Sequence, residues 1–244
     1  MNPNTKYGNT RRTLAFTLMD VRAVLTYEST DPDNPQLPHP LIVERGTERG
    51  FKLKLHEKNP EAPLSPFYFN LRTPDNPKPG PLTPEIIKIA ASCMQRVQLD
   101  AKLAFNATVG VPRAGDPFAQ ALAGFAGVPC LPMDKYEHGD KRCIASLKGR
   151  IPVEVQKVLM VDDLVTEGHS KLEAIHILRD AGLEVSDVMV LIDHGRGGRE
   201  ELEKLGCKLH SVFTAAKLLD LYSHFGRVKP RIHADIQKYL ASQV

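Results

Sequence analysis

The segment that most constrains this chain covers residues 158–171 and reads VLMVDDLVTEGHSK. Its first four residues are apolar and predict a short buried strand that ends at two adjacent carboxylates, Asp162 and Asp163. A polar turn at residues 166–170 leads from there into a pattern of apolar residues that is typical of an amphipathic helix. A strand, a turn with a glycine and a helix start can bind an anion, because the N–H groups of the first helical turn point at it.

The side chains of this segment suit a phosphate at one end and a sugar or a metal at the other. Thr166 and Ser170 add hydroxyl donors, and Gly168 lets the backbone approach a ligand closely. Asp162 and Asp163 would repel a phosphate, so their partners are sugar hydroxyls or a hydrated Mg²⁺ beside the anion. The alternative is a chance pair of acids followed by ordinary helix caps, and the pattern by itself leaves both interpretations open.

Composition and charge exclude several other classes of protein. The chain has 244 residues, of which 42% are apolar, and its net charge of +3 is too small to indicate a nucleic acid or a membrane as partner. The four cysteines are far apart and form no CxxC pair, which favours reduced thiols over a disulfide or zinc framework. No apolar run approaches the length of a membrane span, and the N-terminus has no signal-like apolar core. We therefore expect a soluble, cytoplasmic protein.

The central segment resembles the ribose-phosphate signature of type I phosphoribosyltransferases, in which an apolar strand is followed by two acids, two apolar residues and Thr-x-Gly-x-Thr/Ser. The resemblance implies an α/β fold with a doubly wound parallel sheet. It also implies that Asp162 and Asp163 are catalytic and hold the ribose hydroxyls. Through those hydroxyls or through water they would also place Mg²⁺, the implied cofactor. Residues 166–170 would then bind the 5-phosphate of the substrate.

Two residues of that turn depart from the family pattern, which has small side chains at both positions. Glu167 places a carboxylate beside the predicted phosphate, so it must point outward or pair with a base. His169 could help to bind the phosphate when it is protonated. Together with Thr166, Gly168 and Ser170, these two residues make up the predicted substrate-binding turn.

The chain as a whole is predicted to divide at residue 84. Residues 1–84 would form an N-terminal extension and a small hood, and residues 85–244 the phosphoribosyltransferase core. Within the first part, residues 1–10 are polar and are expected to be loose. Residues 14–25 are apolar-rich and are expected to form a first helix.

The hood is predicted from two segments, residues 51–56 and 65–72, which alternate apolar and polar side chains like half-buried strands. They resemble the hood of orotate phosphoribosyltransferases, which carries Phe-x-Leu-Lys followed by Ser-Pro-x-Tyr/Phe-x-Asn/Asp. The resemblance implies that Lys54 and Phe69 face the substrate. From the pattern alone, the alternative is that the aromatic residues belong to the core and that Lys54 is solvated.

Strands and helices alternate from residue 105 onward, which predicts a parallel sheet with helices on both faces and ligand-binding loops at the carboxyl ends of its strands. A second strand–loop–helix unit contains GVPRAGDP, residues 110–117, and again suits an anion. In the family this loop binds pyrophosphate, often through a strained peptide, which implies that Arg113 is a phosphate donor. The family's lysine in this loop falls at Ala114.

Residues 134–155 show little periodicity and are predicted to form a mobile loop, which suits a reaction whose transition state must be shielded from water. Orotate phosphoribosyltransferases carry Arg-Lys-x-x-Lys-x-His-Gly here, and these residues reach into the neighbouring subunit of a dimer. The resemblance implies that Lys135 and His138 are catalytic. The largest departure from the family is the loss of its other lid cations, at Pro132, Met133 and Tyr136.

The strand predicted at residues 187–192 ends at Asp193 and His194. The family has Asp-Arg at these positions, and its arginine contacts the pyrimidine. His194 can hydrogen-bond a carbonyl but cannot supply a permanent bidentate charge. The resemblance implies a homodimeric enzyme that transfers ribose 5-phosphate from phosphoribosyl pyrophosphate to a nucleobase, most directly orotate, in pyrimidine biosynthesis. Two alternatives stay open: transfer to a different base, and a catalytically weak or silent nucleotide-binding paralogue with a regulatory role.

Overall fold

The computed structural model describes the backbone of residues 3–138 and 141–242, and the side chains of residues 8–135 and 146–242. Contacts define two compact units, one made of Met1–Leu14 and Leu71–Ala215 and the other of Ala15–Asn70 and Ala216–Val244. The second unit takes in C-terminal residues that we expected in the core. The predicted boundary at residue 84 stays a prediction.

In chain order the helices and strands are α1 (Pro3–Asp20), β1 (Val24–Thr26), β2 (Ile42–Arg45), β3 (Glu48–Phe51), a 3₁₀ helix (Lys54–Glu57), β4 (Phe67–Phe69), α2 (Pro84–Asp100), β5 (Ala107–Gly110), α3 (Asp116–Ala126), β6 (Cys130–Leu131), β7 (Met133–His138), β8 (Lys141–Leu147), β9 (Lys157–Val165), α4 (His169–Asp180), β10 (Glu184–Asp193), α5 (Gly198–Lys204), β11 (Lys208–Thr214), α6 (Ala215–His224) and α7 (Pro230–Ala241). None of the helices in the described part of the chain combines the length and the hydropathy of a bilayer span.

A five-stranded parallel sheet with the order β11-β10-β9-β5-β6 forms the centre of the first unit. Its central strand is buried on both faces: in β9, Val158 and Met160 alternate with Leu159 and Val161, and all four are inaccessible to solvent or nearly so. Strands of this kind need a layer on either side of the sheet. Helices α2 and α3 pack against each other and against the sheet, and α4 and α5 do so as a separate pair. The predicted doubly wound α/β fold is confirmed.

Local residue types explain where two helices of the first unit begin or end. Helix α2 begins at Pro84, whose missing N–H is not needed in the first turn. Helix α3 ends before Gly127, whose φ of 68° is the left-handed backbone that commonly closes a helix.

Two predictions for the N-terminal segment are wrong in part, since α1 covers residues 14–20 of the predicted helix but not its end. Residues 3–10, which we expected to be loose, begin α1, and the helix predicted at residues 14–25 gives way to β1. Strand β1 pairs antiparallel with β4, with Val24 opposite Phe69. Val24 is buried in this pair, so a contact between distant segments overrides the local pattern.

The second unit also contains the antiparallel hairpin β2–β3, in which Ile42 lies opposite Phe51. The strand predicted at residues 51–56 is therefore wrong beyond Phe51. A 3₁₀ helix follows because the buried imidazole of His56 accepts a hydrogen bond from Leu53 N–H at 2.9 Å and closes the turn.

The loop predicted at residues 134–155 is wrong where β7 and β8 lie, and its mobility stays a prediction. Strands β7 and β8 form an antiparallel hairpin, with Lys135 opposite Ile144. An ion pair of 2.8 Å joins Lys148 Nζ to Asp134 Oδ1 near its base. The strands are joined by backbone hydrogen bonds, which do not require apolar and polar residues to alternate. The sequence therefore lacks the two-residue period by which a strand is predicted. Outside the described residues lie Gly139, Asp140 and the side chains of Tyr136 and His138.

Candidate active site

The two adjacent aspartates lie inside β9 rather than after it, so the strand end predicted at Asp162 is wrong. Strand β9 continues to Val165 because β10 extends beside it, with Asp162 opposite Val190 and Val165 opposite Asp193. A polar residue remains in a strand when a neighbouring strand pairs with its backbone. Both carboxylates still lie near the carboxyl end of the central strand, where ligands bind in sheets of this type.

Residues 166–168 form the turn between β9 and α4, which begins at His169. Gly168 has a φ of 85°, a left-handed backbone that favours glycine, and its carbonyl accepts a hydrogen bond from Lys171 N–H at 2.8 Å. His169 and Ser170 belong to the first turn of α4, whose N–H groups have no partner earlier in the helix. The start of α4 therefore has the donors that a phosphate needs.

A second glycine turn, between β10 and α5, packs against this first one. A Cβ atom added to Gly198 would lie 2.3 Å from Thr166 O and 2.6 Å from Val165 Cγ2. His194 N–H donates a hydrogen bond to Val165 O at 2.9 Å. The glycines are visible in the sequence as GRGG, but the backbone that they contact is not. Gly198 is therefore a supporting residue that sequence reasoning missed.

Asp162 is held by an internal ion pair. Its side chain is 5% exposed, and its Oδ2 lies 2.5 Å from the Nζ of Lys171, whose side chain is 6% exposed. Asp162 Oδ1 accepts a hydrogen bond from Asp163 N–H at 2.8 Å. Lys171 was not predicted as a site residue, because a lysine in the first turn of a helix is ordinarily solvated. The only feature of the sequence that could have indicated Lys171 as a site residue was its position next to the phosphate turn.

Asp163 is half-buried and differs from Asp162 in its contacts. Its Oδ1 accepts a hydrogen bond from Leu164 N–H at 2.7 Å. Burial and the neighbouring charge of Asp162 raise the pKa of Asp163 above the ordinary range of a carboxyl group. A partly exposed carboxylate beside a phosphate-binding turn can accept hydrogen bonds from sugar hydroxyls.

Glu167 has two basic partners. Its Oε1 lies 3.4 Å from Arg196 Nη2, and its Oε2 lies 3.5 Å from His169 Nδ1. The carboxylate next to the predicted phosphate site is thus paired with a cation, and Arg196 is a second functional candidate that sequence reasoning missed. These three residues line a cavity of about 340 Å³ together with Leu172, Gly197 and Glu201.

The loop predicted to bind pyrophosphate lies directly against β9. Val111 N–H donates a hydrogen bond to Val161 O at 2.9 Å. A Cβ atom on Gly115 would lie 2.4 Å from the same oxygen, so only glycine fits there. The peptide bond between Pro112 and Arg113 is cis. Arg113 is exposed, which leaves its guanidinium group accessible to an anion at this end of the sheet.

Asp116, the first residue of α3, is a third carboxyl group in this region and was not predicted. Burial and the charge of Asp162 raise the pKa of Asp116 to about 6. The carboxyl ends of β5 and β9 therefore carry a concentration of negative charge, which favours cationic partners there.

His194 is 5% exposed and lies directly after β10. Burial and the nearby charge of Arg196 lower the pKa of His194 to about 4. The imidazole is therefore neutral at physiological pH and offers no charge to an anionic ligand.

We expect His194 to make the chain less stable in mild acid. Its pKa is about 6.5 in the unfolded chain and about 4 in the folded chain, so only the unfolded chain takes up a proton as the pH falls through 6.5. The free energy of unfolding should fall by about 2 kcal/mol between pH 7.5 and pH 5 for this reason. Urea unfolding of the wild type and of His194→Gln at both pH values measures the effect. Equal losses in the two proteins would contradict a buried, neutral imidazole.

The predicted site residues fall into three groups. Those at the carboxyl ends of β5, β9 and β10 are Arg113, Asp162, Asp163, Thr166, Glu167, Gly168, His169, Ser170 and His194. Lys135 lies in β7, and His138 ends that strand with its side chain outside the described residues. In the second unit, Lys54 is exposed at the start of the 3₁₀ helix, and Phe69 is buried with its ring centroid 5.2 Å from that of Phe67.

Known proteins resemble this chain in sequence. The model of the phosphoribosyl transferase domain matches residues 82–216. Orotate phosphoribosyltransferase of Saccharolobus solfataricus is 30% identical over 183 residues, which are 74% of this chain and 87% of that protein. Orotate phosphoribosyltransferase of Halobacterium salinarum is 37% identical over 134 residues, which are 54% of this chain and 71% of that protein.

Solved structures agree with these sequence relationships. The UMP synthase of Leishmania donovani superposes with a TM-score of 0.68 at 26% identity, over 95% of this chain and 42% of that one, so this chain spans less than half of that protein. Orotate phosphoribosyltransferase from Aeropyrum pernix superposes with a TM-score of 0.60 at 24% identity, over 86% of this chain and 98% of that one, and shares the fold. Because the domain model covers more than half of the chain and a relative is 30% identical over most of its length, this chain belongs to the phosphoribosyltransferase family.

Proposed function

We propose that this enzyme transfers ribose 5-phosphate from phosphoribosyl pyrophosphate to orotate, a step of pyrimidine nucleotide biosynthesis, and releases pyrophosphate. The observation that carries the proposal is the turn at residues 166–170 with the half-buried carboxylate of Asp163 just before it, which joins a phosphate site to a sugar site. The two orotate phosphoribosyltransferases with 30% and 37% identity support orotate as the base.

Each part of the donor substrate has a matching group in the site. The first-turn N–H groups of α4 and the hydroxyls of Thr166 and Ser170 would bind the 5-phosphate. Asp163 would accept hydrogen bonds from the ribose hydroxyls, and Arg113 would pair with the pyrophosphate. The rate enhancement would then come mainly from alignment of the two reactants and from stabilisation of positive charge on the ribose in the transition state.

Mg²⁺ fits this arrangement as a partner of the substrate. In the part of the chain that the structure describes, no three His, Cys, Asp or Glu side chains are grouped so as to hold a metal by themselves. Mg²⁺ keeps several waters and binds one or two carboxylates together with substrate phosphates, so the carboxylate of Asp163 suffices on the protein side. When bound, Mg²⁺ would neutralise charge on the leaving pyrophosphate.

The remaining predicted residues enter the proposal with roles that stay predictions. Lys135 and His138 of the β7–β8 hairpin would supply cations to the pyrophosphate in the neighbouring subunit of a homodimer and help to exclude water. Lys54 and Phe69 would contact the base. The spacing of the cysteines supports a cytoplasmic location for the enzyme.

His194 favours a second candidate, which is transfer to a base other than orotate. A neutral, buried imidazole offers no permanent charge to the carboxylate of orotate. Arg196, two residues later, is a cation in the same loop, but its guanidinium group is paired with Glu167.

Release of pyrophosphate from phosphoribosyl pyrophosphate and Mg²⁺, measured over a panel of bases, separates these functions. We expect turnover with orotate. Turnover only with another base would support the second candidate. Binding of phosphoribosyl pyrophosphate without turnover of any base would indicate a silent nucleotide-binding paralogue, and the absence of both binding and turnover would refute the proposal.

Replacing Glu167 by glutamine should tighten the binding of phosphoribosyl pyrophosphate. The change removes a negative charge from the phosphate turn, keeps the size of the side chain and releases the guanidinium group of Arg196 for the substrate. We expect KM for phosphoribosyl pyrophosphate to fall about threefold at low ionic strength, and the gain to shrink as salt screens the half-exposed charge.

The matched control for this substitution is Glu201→Gln, which removes a carboxylate that lines the same cavity but lies outside the phosphate turn. Its KM should change little. A higher KM in Glu167→Gln would mean that Glu167 positions Arg196 for the substrate rather than opposing the phosphate.

A further inference from the structure

Lys171 gives the two aspartates of β9 unequal environments. Its buried ammonium group contacts both Asp162 Oδ2 and Leu164 O, each at 2.5 Å. The other oxygen of Asp162 accepts the N–H of Asp163. Both oxygens of Asp162 are therefore engaged by the protein itself, in a place that solvent hardly reaches.

Asp163 lacks this restraint. The salt bridge of Lys171 is made with Asp162, whereas Lys171 and Arg72 act on Asp163 through their charges. Its side chain is half-buried rather than buried, and one oxygen is oriented by the N–H of Leu164. Of the two acids, Asp163 is thus the one that a ligand can reach.

We propose that Lys171 is a positioning residue. Its ion pair keeps Asp162 bound within the protein, so that Asp163 is the acid that holds the ribose. Resting on the proposed function, this inference narrows the sequence prediction that both acids bind the sugar. The ammonium group orients Asp162, and Asp162 in turn holds the N–H of Asp163, so the orientation of Asp163 depends on Lys171 through two contacts.

The charges around Asp162 support this assignment. Two other carboxyl groups, those of Asp163 and Asp116, are close enough for the charge of Asp162 to act on them. A buried carboxylate with acidic neighbours needs a cation, and removing one partner of a buried ion pair leaves an uncompensated charge. Ribose hydroxyls are neutral, so they could not take the place of the ammonium group of Lys171.

The test is a double-mutant cycle on the full chain, with Lys171→Met, Asp162→Asn and the double variant. Calorimetry measures the binding of ribose 5-phosphate and of inorganic phosphate, and kinetics measure kcat and KM for phosphoribosyl pyrophosphate. Inorganic phosphate reports on the turn alone, since it has no sugar. Lys229→Met serves as the control for the loss of an ordinary ion pair, because the exposed Lys229 pairs with Glu28 at 2.7 Å.

We expect Lys171→Met to weaken ribose 5-phosphate binding by about tenfold or more and inorganic phosphate binding by less than about threefold. The KM for phosphoribosyl pyrophosphate should rise together with the loss of ribose 5-phosphate binding. Adding Asp162→Asn removes the uncompensated charge, so the double variant should recover most of the lost affinity. Recovery of this kind shows that Asp162 is needed as the partner of Lys171 and does not itself bind the ribose.

Three results would overturn the proposal. One is a double variant that binds ribose 5-phosphate no better than Lys171→Met. Another is tighter binding by Lys171→Met, which would mean that Asp162 had been released to the sugar. The third is an equal loss of both ligands, which would mean that Lys171 only maintains the turn.

Two further measurements keep the test decisive. Should Lys171→Met not fold, the double variant, which leaves neither charge of the pair uncompensated, must lose much less ribose 5-phosphate affinity than Asp163→Asn, and an equal loss overturns the proposal. If the wild-type chain binds ribose 5-phosphate but turns over no base, the proposed function is refuted. The double-mutant cycle then still tests the role of Lys171, because it measures ribose 5-phosphate binding. A wild-type chain that binds no ribose 5-phosphate refutes both.

Discussion

Replacing Asp163 by asparagine is expected to lower kcat for phosphoribosyl transfer by about a thousandfold, which corresponds to about 4 kcal/mol of transition-state stabilisation. The carboxylate of Asp163 is half-buried beside the phosphate turn, where positive charge develops on the ribose as pyrophosphate leaves. Asparagine keeps the shape of the side chain and removes its charge. Steady-state kinetics with saturating phosphoribosyl pyrophosphate, orotate and Mg²⁺ measure the effect.

The same substitution should leave the melting temperature unchanged or raise it. The pKa of Asp163 is raised in the folded chain, so its ionised form is disfavoured there and stability is gained only as the pH falls through that raised pKa. Asparagine cannot ionise, so it relieves the fold of this unfavourable ionisation. A melting temperature that falls by several degrees would show that Asp163 supports the fold instead.

Asp180→Asn is the matched control for Asp163→Asn, because it changes the net charge by the same amount at the exposed end of α4. It should keep full activity. If Asp163→Asn retained more than about a tenth of the wild-type kcat, the assignment of the ribose to this carboxylate would be wrong.

Replacing Gly198 by alanine is expected to lower kcat/KM for phosphoribosyl pyrophosphate by about a hundredfold, mostly through KM. The added Cβ atom would lie 2.3 Å from Thr166 O and 2.6 Å from Val165 Cγ2. Val165 is buried and paired within the sheet, so the turn at residues 166–168 is the part that must shift. A shift of the turn moves the donors that bind the 5-phosphate.

Gly124→Ala separates this effect from the general effect of alanine in a helix. Gly124 lies in α3, and a Cβ atom there would meet nothing within 4 Å. Alanine favours the helix by up to about 1 kcal/mol, so this control should be fully active and at least as stable as the wild type. A normal KM in Gly198→Ala would show that the two glycine turns move independently of each other.

Local patterns were sufficient to place the core elements and the phosphate turn. The run of four apolar residues before Asp162 predicted β9, and the apolar spacing after Ser170 predicted α4. The strand nevertheless continues to Val165, because the length of a strand depends on the neighbour that pairs with it. The hairpin β7–β8 was missed for the same reason, since its strands are defined by their pairing and their sequence has no regular alternation.

The sequence by itself determined the fold class and the position of the phosphate turn, because an apolar strand, two acids and a glycine turn are neighbours along the chain. Only the tertiary structure decided how the two acids differ, since the ion pair between Lys171 and Asp162 depends on where the first turn of α4 places the lysine side chain. It also decided that Arg196 pairs with Glu167 and that Gly198 supports the turn. The last two contacts join segments that are far apart in the chain. Burial and charge depend on distance in space, which the periodicity of a local sequence does not record.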